Sequence, residues 1–206
     1  MNQLNMRIST WAIALLAMSI STAVFADPDG KSGEDSFPAL KDAVVLVIRH
    51  AEKPASGDGL TPAGEERAAA YVNYFKNLTL DGQPVKLDCL IAAADSPKSR
   101  RSRLTIEPTG KALGLAIDHR FGDKEFNGLV KEMASKPRGQ AILIAWHHGE
   151  IPGLIQALGA DPDKLLPKAK WPDDVFGWMI ELRYDSNGGL MEAKRINEKL
   201  MPDDTK

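Results

Sequence analysis

The chain has one cysteine, Cys89, among 206 residues, which excludes an intrachain disulfide framework and a cysteine-built zinc site. Histidine is scarce too, at four residues, so any imidazole chemistry must draw on a small set. Charge of one sign is missing: 26 Lys and Arg face 28 Asp and Glu, for a formal net charge of −2. That balance gives no general pull toward nucleic acid or an anionic membrane, so neither is an expected partner. Anion binding must rest on a few locally placed basic side chains. With 43% apolar and 26% charged residues, the composition is near the globular average and excludes a disordered chain or a multi-span membrane protein. No internal repeat or second domain is evident, and the length fits one domain with an extension.

The extension is at the N-terminus. Residues 1–26 read as a secretory signal: Arg7 is their only charge, and an apolar run over 11–20 leads to small residues. Val24 and Ala26 stand three and one positions before the cut ahead of Asp27. The apolar run is short of the roughly 20 residues that span a bilayer. An uncleaved anchor is the alternative. The expected destination is periplasmic or secreted, with no stable membrane anchor. Cys89, set against Leu87 and Leu90-Ile91, suits an oxidising compartment if it is buried. Residues 27–40, rich in Asp, Gly, Ser and Pro, read as a flexible lead-in. Residues 41–200 read as the folded domain and 201–206 as a C-terminal tail.

Within the domain, strand and helix patterns alternate. The β-branched run 43–48 and the apolar run 141–145 have the pattern of strands buried on both faces. A shorter strand is expected over 90–93. Thr61 caps a helix that starts at Pro62. Further helices are expected around 105–113, where Pro108 marks a kink or a first turn, and over 127–135 and 151–158. Residues 176–184 and 190–196 read as two strands joined by a Ser-Asn-Gly-Gly turn. The fold class is therefore α/β, a three-layer sandwich with a largely parallel central sheet flanked by helices.

Ligands of such sheets bind beyond the carboxyl ends of the strands. Three strand ends deliver basic side chains there: Arg49-His50-Ala51-Glu52-Lys53-Pro54, the loop from Asp95 with Arg100, Arg101 and Arg103, and Trp146-His147-His148-Gly149-Glu150. Arginine offers a planar, always charged fork of donors that matches phosphate oxygens. Nearby positive charge keeps a histidine neutral, with one ring nitrogen free as a nucleophile. A second histidine opposite can donate to the oxygens of the transferring group. Phosphoryl transfer needs mostly positioning and charge neutralisation, so two arginines and two histidines suffice for it without a metal. A phosphohistidine intermediate, resolved by water, follows from this set.

These residues resemble the signature of the histidine phosphatase superfamily, which includes the cofactor-dependent phosphoglycerate mutases. Arg49-His50 after a buried strand resembles its first motif, in an R-H-A-E-K-P variant. The segment 60–68, LTPAGEERA, resembles the L-T-x-x-G-x-x-R-A segment, and 101–105 the R-A-x-x-T segment, with Ser102 in place of alanine. Residues 142–158 are similar to the second-histidine strand and helix, so the resemblance covers about 44–158 in the right order. It implies a phosphoglycerate mutase-like fold and an enzyme that hydrolyses phosphomonoesters with no metal and no cofactor. His50 would be the phosphorylated nucleophile, and Arg49 and Arg101 would bind the phosphoryl oxygens. His148 is favoured as the second histidine, with His147 the alternative. Lys53, beside the phosphate site, is a further substrate-binding candidate. The family's acidic proton donor has no clear match; Asp123, Glu125 and Glu150 are the candidates. Mutase insertions are not evident and an exported mutase would lack its cytosolic substrate, so hydrolysis of a small phosphorylated substrate or a phosphorylated glycan is expected.

Two other function classes remain readable. His50, Glu52, His147 and His148 could serve a metal-dependent hydrolase or a metal-binding protein, although no H-E-x-x-H spacing occurs and the neighbouring arginines would repel a cation. The same pocket could also belong to a non-catalytic binder of phosphorylated ligands. His119 reads as a surface histidine, Arg100 and Arg103 as solvated charges, and Trp146 and Trp171 as core residues.

Overall fold

The computed structural model describes residues 37–204, and the predicted signal, 1–26, lies outside them. A short 3-10 turn, Pro38–Leu40, leads into β1 (Val44–Arg49). Next is α1 (Pro62–Lys76), which starts where the sequence says it should: the Thr61 hydroxyl accepts from the Gly64 N–H at 3.1 Å and Pro62 fills the first turn. A small hairpin, β2 (Thr79–Leu80) and β3 (Gln83–Pro84), precedes β4 (Cys89–Ala92). Then come α2 (Arg101–Leu113), β5 (Ile117–Asp118), α3 (Phe126–Ser135) and β6 (Ala141–Trp146). The chain continues with α4 (Ile151–Ala157), α5 (Pro162–Leu165), β7 (Trp178–Tyr184) and β8 (Leu190–Asn197).

Six strands form the central sheet in the order β5-β4-β6-β1-β7-β8. The first four run parallel, and β7 and β8 close the other side antiparallel. The period-2 geometry of a strand sorts the β1 run between two cores. Val45 and Val47 pack with Leu129 and Met133 of α3 and with Ile151 and Leu154 of α4. Leu46 and Ile48 pack with Tyr71 and Phe75 of α1 and Ile106 of α2. This is the expected three-layer sandwich. Among the described residues no helix is long and apolar enough to cross a membrane.

Register brings the site strands level. Arg49 pairs with Trp146 and Ala92 with Ala145, so β4, β6 and β1 end side by side. Each ladder runs on for one more bond, from His50 N–H to the Trp146 carbonyl and from Ala93 N–H to the Ala145 carbonyl.

Several expectations need correction. Phe37 and Leu40, at the end of the supposed flexible lead-in, are buried, and Phe37 packs edge-on against Tyr184. Two large apolar side chains beside a hairpin core have more to gain from burial than the backbone loses by ordering. Helix α2 begins at Arg101, four residues before the expected start, and Pro108 lies in its interior. The buried face Thr105, Ile106, Thr109 and Gly110 holds the helix on the sheet despite the missing N–H. Cys89 is half-buried rather than buried.

Gly64 explains the small residue in the LTPAG text. A Cβ there would sit 2.6 Å from the Glu52 carbonyl oxygen, which is backbone and cannot swing aside. We expect Gly64→Ala to cost about 1–3 kcal/mol in denaturant unfolding, as overpacking does. An unchanged midpoint would show that the 50–54 turn yields freely.

Candidate active site

His50 follows β1 and is buried, with 1% of its surface exposed. Its Nδ1 lies 2.7 Å from the Ala51 carbonyl. A carbonyl only accepts, so Nδ1 carries the proton and Nε2 of the neutral ring keeps the lone pair. Burial holds the His50 imidazole far below its ordinary 6.5, at about 3, with Arg49, His147 and Arg101 pushing the same way. The turn itself is pinned to α2. Ala51 N–H donates to the Thr105 hydroxyl at 2.8 Å, and that hydroxyl donates to the Arg101 carbonyl.

Arg49 is equally buried, at 1% exposure. Its Nη1 donates to the carbonyls of Pro172, Asp173 and Val175 at 3.0, 2.9 and 2.9 Å. The guanidinium also lies 3.8 Å over the centre of the Phe176 ring, a cation–π contact. Burial lowers it to about 10, so it stays charged at neutral pH. Nε and Nη2 are buried and have no hydrogen-bond partner within the protein.

The other predicted residues gather around this pair. The His147 and His148 rings stand edge-on to His50, with centroids 5.3 and 5.7 Å away. Burial lowers the pKa of both. His148 Nε2 is 2.8 Å from Asp173 Oδ1, and its buried Nδ1 has no partner within the protein. Arg101 Nη1 donates to the Gly57 and Lys98 carbonyls, while its Nε is buried and unpartnered. Lys53 is exposed, and its charge acts on both histidines. Three unpartnered guanidinium nitrogens, two of Arg49 and one of Arg101, thus belong to one cationic cluster with the unpartnered His148 Nδ1. Buried polar atoms are normally paired, and a phosphoryl group has the oxygens and the charge to pair these.

The candidate acids fare differently. Asp123 is exposed and its charge raises His147. The Glu125 carboxylate accepts from the Gly122 N–H at the start of its own turn. Glu150 is the N-cap residue of α4 and makes no side-chain cap bond. Glu52 turns to Arg67, 2.9 Å from its Nε.

Among the residues set aside, His119 is exposed, Arg100 pairs with Asp58, and Arg103 pairs with Asp95 and Glu107. Trp146 and Trp171 are buried. Sequence reasoning assigned no role to the residues that hold the site in place. Arg67 lies within the L-T-x-x-G-x-x-R-A text, which offered a signal. Its partner Asp204 accepts two bonds of 2.8 Å from it and caps the Leu200 and Met201 N–H groups. Asp204 is therefore anchored and not part of a loose tail, and no local pattern marks it.

No protein-family model matches the chain, and no curated protein matches its sequence. Solved structures do match. A protein from Escherichia coli K-12 described as a putative alpha-ribazole-5'-P phosphatase aligns with a TM-score of 0.51 at 12% identity, over 73% of this chain and 95% of that one. The chain has a phosphoglycerate mutase-like fold. Phosphoglycerate mutase from Plasmodium falciparum also matches, with a TM-score of 0.48, 15% identity, and coverage of 72% of this chain and 87% of that one. So does a phosphoserine phosphatase variant from Entamoeba histolytica, with a TM-score of 0.47, 12% identity, and coverage of 77% and 99%. In this phosphoglycerate mutase-like fold, the His50 cluster occupies the carboxyl ends of the parallel strands.

A histidine held neutral in the fold makes stability depend on pH. The unfolded chain takes up a proton at His50 near pH 6.5 and the folded chain only near 3, so stability falls as pH drops through that window. We expect His50→Asn to gain stability relative to wild type between pH 7 and 4 in denaturant unfolding. A pH-independent difference would mean that His50 titrates normally.

Proposed function

We propose that this protein is a phosphatase that hydrolyses phosphomonoesters through a phosphohistidine at His50, without a metal, in the periplasm or outside the cell. The observation that carries the reading is the state of His50: a buried, neutral ring with Nδ1 spent on a carbonyl, set among Arg49, Arg101, His147 and His148. The Nε2 lone pair attacks phosphorus. Arg49 and Arg101 pair with the phosphoryl oxygens and neutralise charge as it develops, and the second histidine adds to that neutralisation. Water then opens the P–N bond and releases phosphate. His148 is preferred as the second histidine because its Nδ1 is buried and unpartnered, on a ring 5.7 Å from His50.

The substrate class is a small phosphorylated molecule or a phosphorylated glycan. The loop that carries Asp173 borders a cleft of about 240 Å³, lined by His148, Gly149, Pro152, Lys170 and Trp171 as well, where a leaving group can lie. The metal-site reading is weaker, because Glu52 is committed to Arg67. Among the described residues, no group of three or more His, Cys, Asp or Glu side chains is arranged to hold an ion.

The test is phosphate release from p-nitrophenyl phosphate with EDTA present. Wild type is expected to turn over and His50→Ala to be inactive while still folded. Arg101→Met is expected to lose about 10²–10³ in kcat/KM, the usual cost of removing one charge-stabilising donor. Release that EDTA abolishes would move the case to the metal reading. Tight phosphate-analogue binding without turnover would move it to a binding protein.

A further inference from the structure

We propose that His148, held by Asp173, is the proton carrier of the reaction: the general acid toward the leaving oxygen and then the base toward water. This rests on the phosphohistidine reading and names the proton route within it. No hydrogen bond joins the Asp123, Glu125 or Glu150 carboxylate to a histidine of the site, whereas the Asp173 carboxylate meets His148.

The geometry of the pair limits what His148 can do. Asp173 Oδ1 lies 2.8 Å from Nε2, and a carboxylate only accepts, so Nε2 carries a hydrogen. The tautomer is thereby set. Nδ1, buried and unpartnered on a ring 5.7 Å from His50, holds a lone pair when His148 is neutral and donates only when it is the imidazolium. His148 can therefore serve a phosphoryl or leaving oxygen only in its charged form. A histidine that must be charged to bind, and that can lose one proton without losing its anchor, suits acid–base work.

The charges around His148 fit that switch. Arg49 from β1 and Lys53 from the following turn disfavour its protonation, as does burial, while Asp173 favours it. His147 and the neutral His50 ring are its other titratable neighbours. In the unliganded site the balance lies below the ordinary histidine value. An arriving phosphate dianion adds opposite charge at this place and shifts the balance toward the imidazolium.

Asp173 is a positioning residue with two attachments. Its carboxylate takes His148, and its backbone carbonyl takes Arg49 Nη1 at 2.9 Å. One residue thus registers the phosphate-binding arginine and the proton carrier against each other. Asp123, by contrast, acts on His147 only through its charge, and Glu125 is engaged with Gly122.

The steps balance. As His50 Nε2 bonds to phosphorus, the ester P–O bond breaks and the leaving oxygen takes the proton from His148 Nδ1. His148 is left neutral, still donating from Nε2 to Asp173. Water then attacks phosphorus and passes a proton to Nδ1. The P–N electron pair returns to His50, and phosphate leaves.

The experiment compares kcat/KM for p-nitrophenyl phosphate, whose leaving group needs no proton, with that for glycerol phosphate, whose alkoxide does. Asp173→Asn keeps the size and removes the charge at an exposed side chain. It is expected to lower kcat/KM for the alkyl ester by on the order of tenfold to a hundredfold, part of the ~10²–10⁴ that general acid catalysis supplies, with a much smaller loss on the aryl ester. The alkaline limb for the alkyl ester should move to lower pH in Asp173→Asn, and Asp173→Glu should restore part of the rate. Equal losses on both esters with an unmoved limb would overturn the proposal. So would an alkyl-selective loss in Asp123→Asn in place of Asp173→Asn. Failure of the underlying phosphohistidine reading is seen separately, as wild-type release by His50→Ala on either ester.

Discussion

One nitrogen of a buried arginine organises this site. Arg49 Nη1 shares its two hydrogens among three backbone carbonyls of the 172–175 loop, and the guanidinium stacks on Phe176. Each carbonyl brings a partial negative charge to an ion that burial would otherwise penalise heavily. The contact fastens a loop 123–126 residues away in sequence to the end of β1. The remaining donors, Nε and Nη2, are left without a partner within the protein. With Arg49 so placed, Asp173 is within reach of His148, whose Nε2 gains a partner.

The 50–54 loop is also held by a different device. Glu52, Arg67 and Asp204 form a carboxylate–arginine–carboxylate bridge between the loop, α1 and the end of the chain. Arg67 and Asp204 are nearly dry, so each charge depends on the other for compensation. Gly64 lets α1 approach the Glu52 backbone closely enough for Arg67 to reach. The arginines thus divide by what neutralises them. Arg67 is neutralised by carboxylates, while Arg49 and Arg101 keep buried nitrogens that no group of the protein pairs. The fold tolerates that unpaired charge because the sheet and two helical layers supply the stabilisation elsewhere.

Much of this is legible in the chain. The buried runs at 43–48 and 141–145 identify strands because both faces must be apolar, and each is followed within two residues by histidine. The start of α1 is readable because Thr61 and Pro62 are local capping chemistry. Helix α2 starts earlier than its pattern suggests because propensity penalises Pro108, while packing of Ile106 and Gly110 on the sheet overrides it. Phe37 and Leu40 resemble lead-in because Gly, Ser and Pro surround them, yet burial, with an edge contact from Phe37 to Tyr184, decides their state. The short strands β2, β3 and β5 have two residues each, too few to carry a period.

By itself the sequence determined which residue types stand at the ends of the parallel strands, and therefore that His50, Arg49, Arg101 and the 147–148 pair meet. That follows from local pattern and from the geometry every parallel sheet shares. Tertiary structure alone decided what each of them is bonded to. Asp173 reaches His148 from 25 residues away, and Asp204 reaches Arg67 from 137. Such pairings depend on where loops close in space. A side chain's protonation and free donors depend on those partners and on burial, and neither is written in the order of neighbours along the chain.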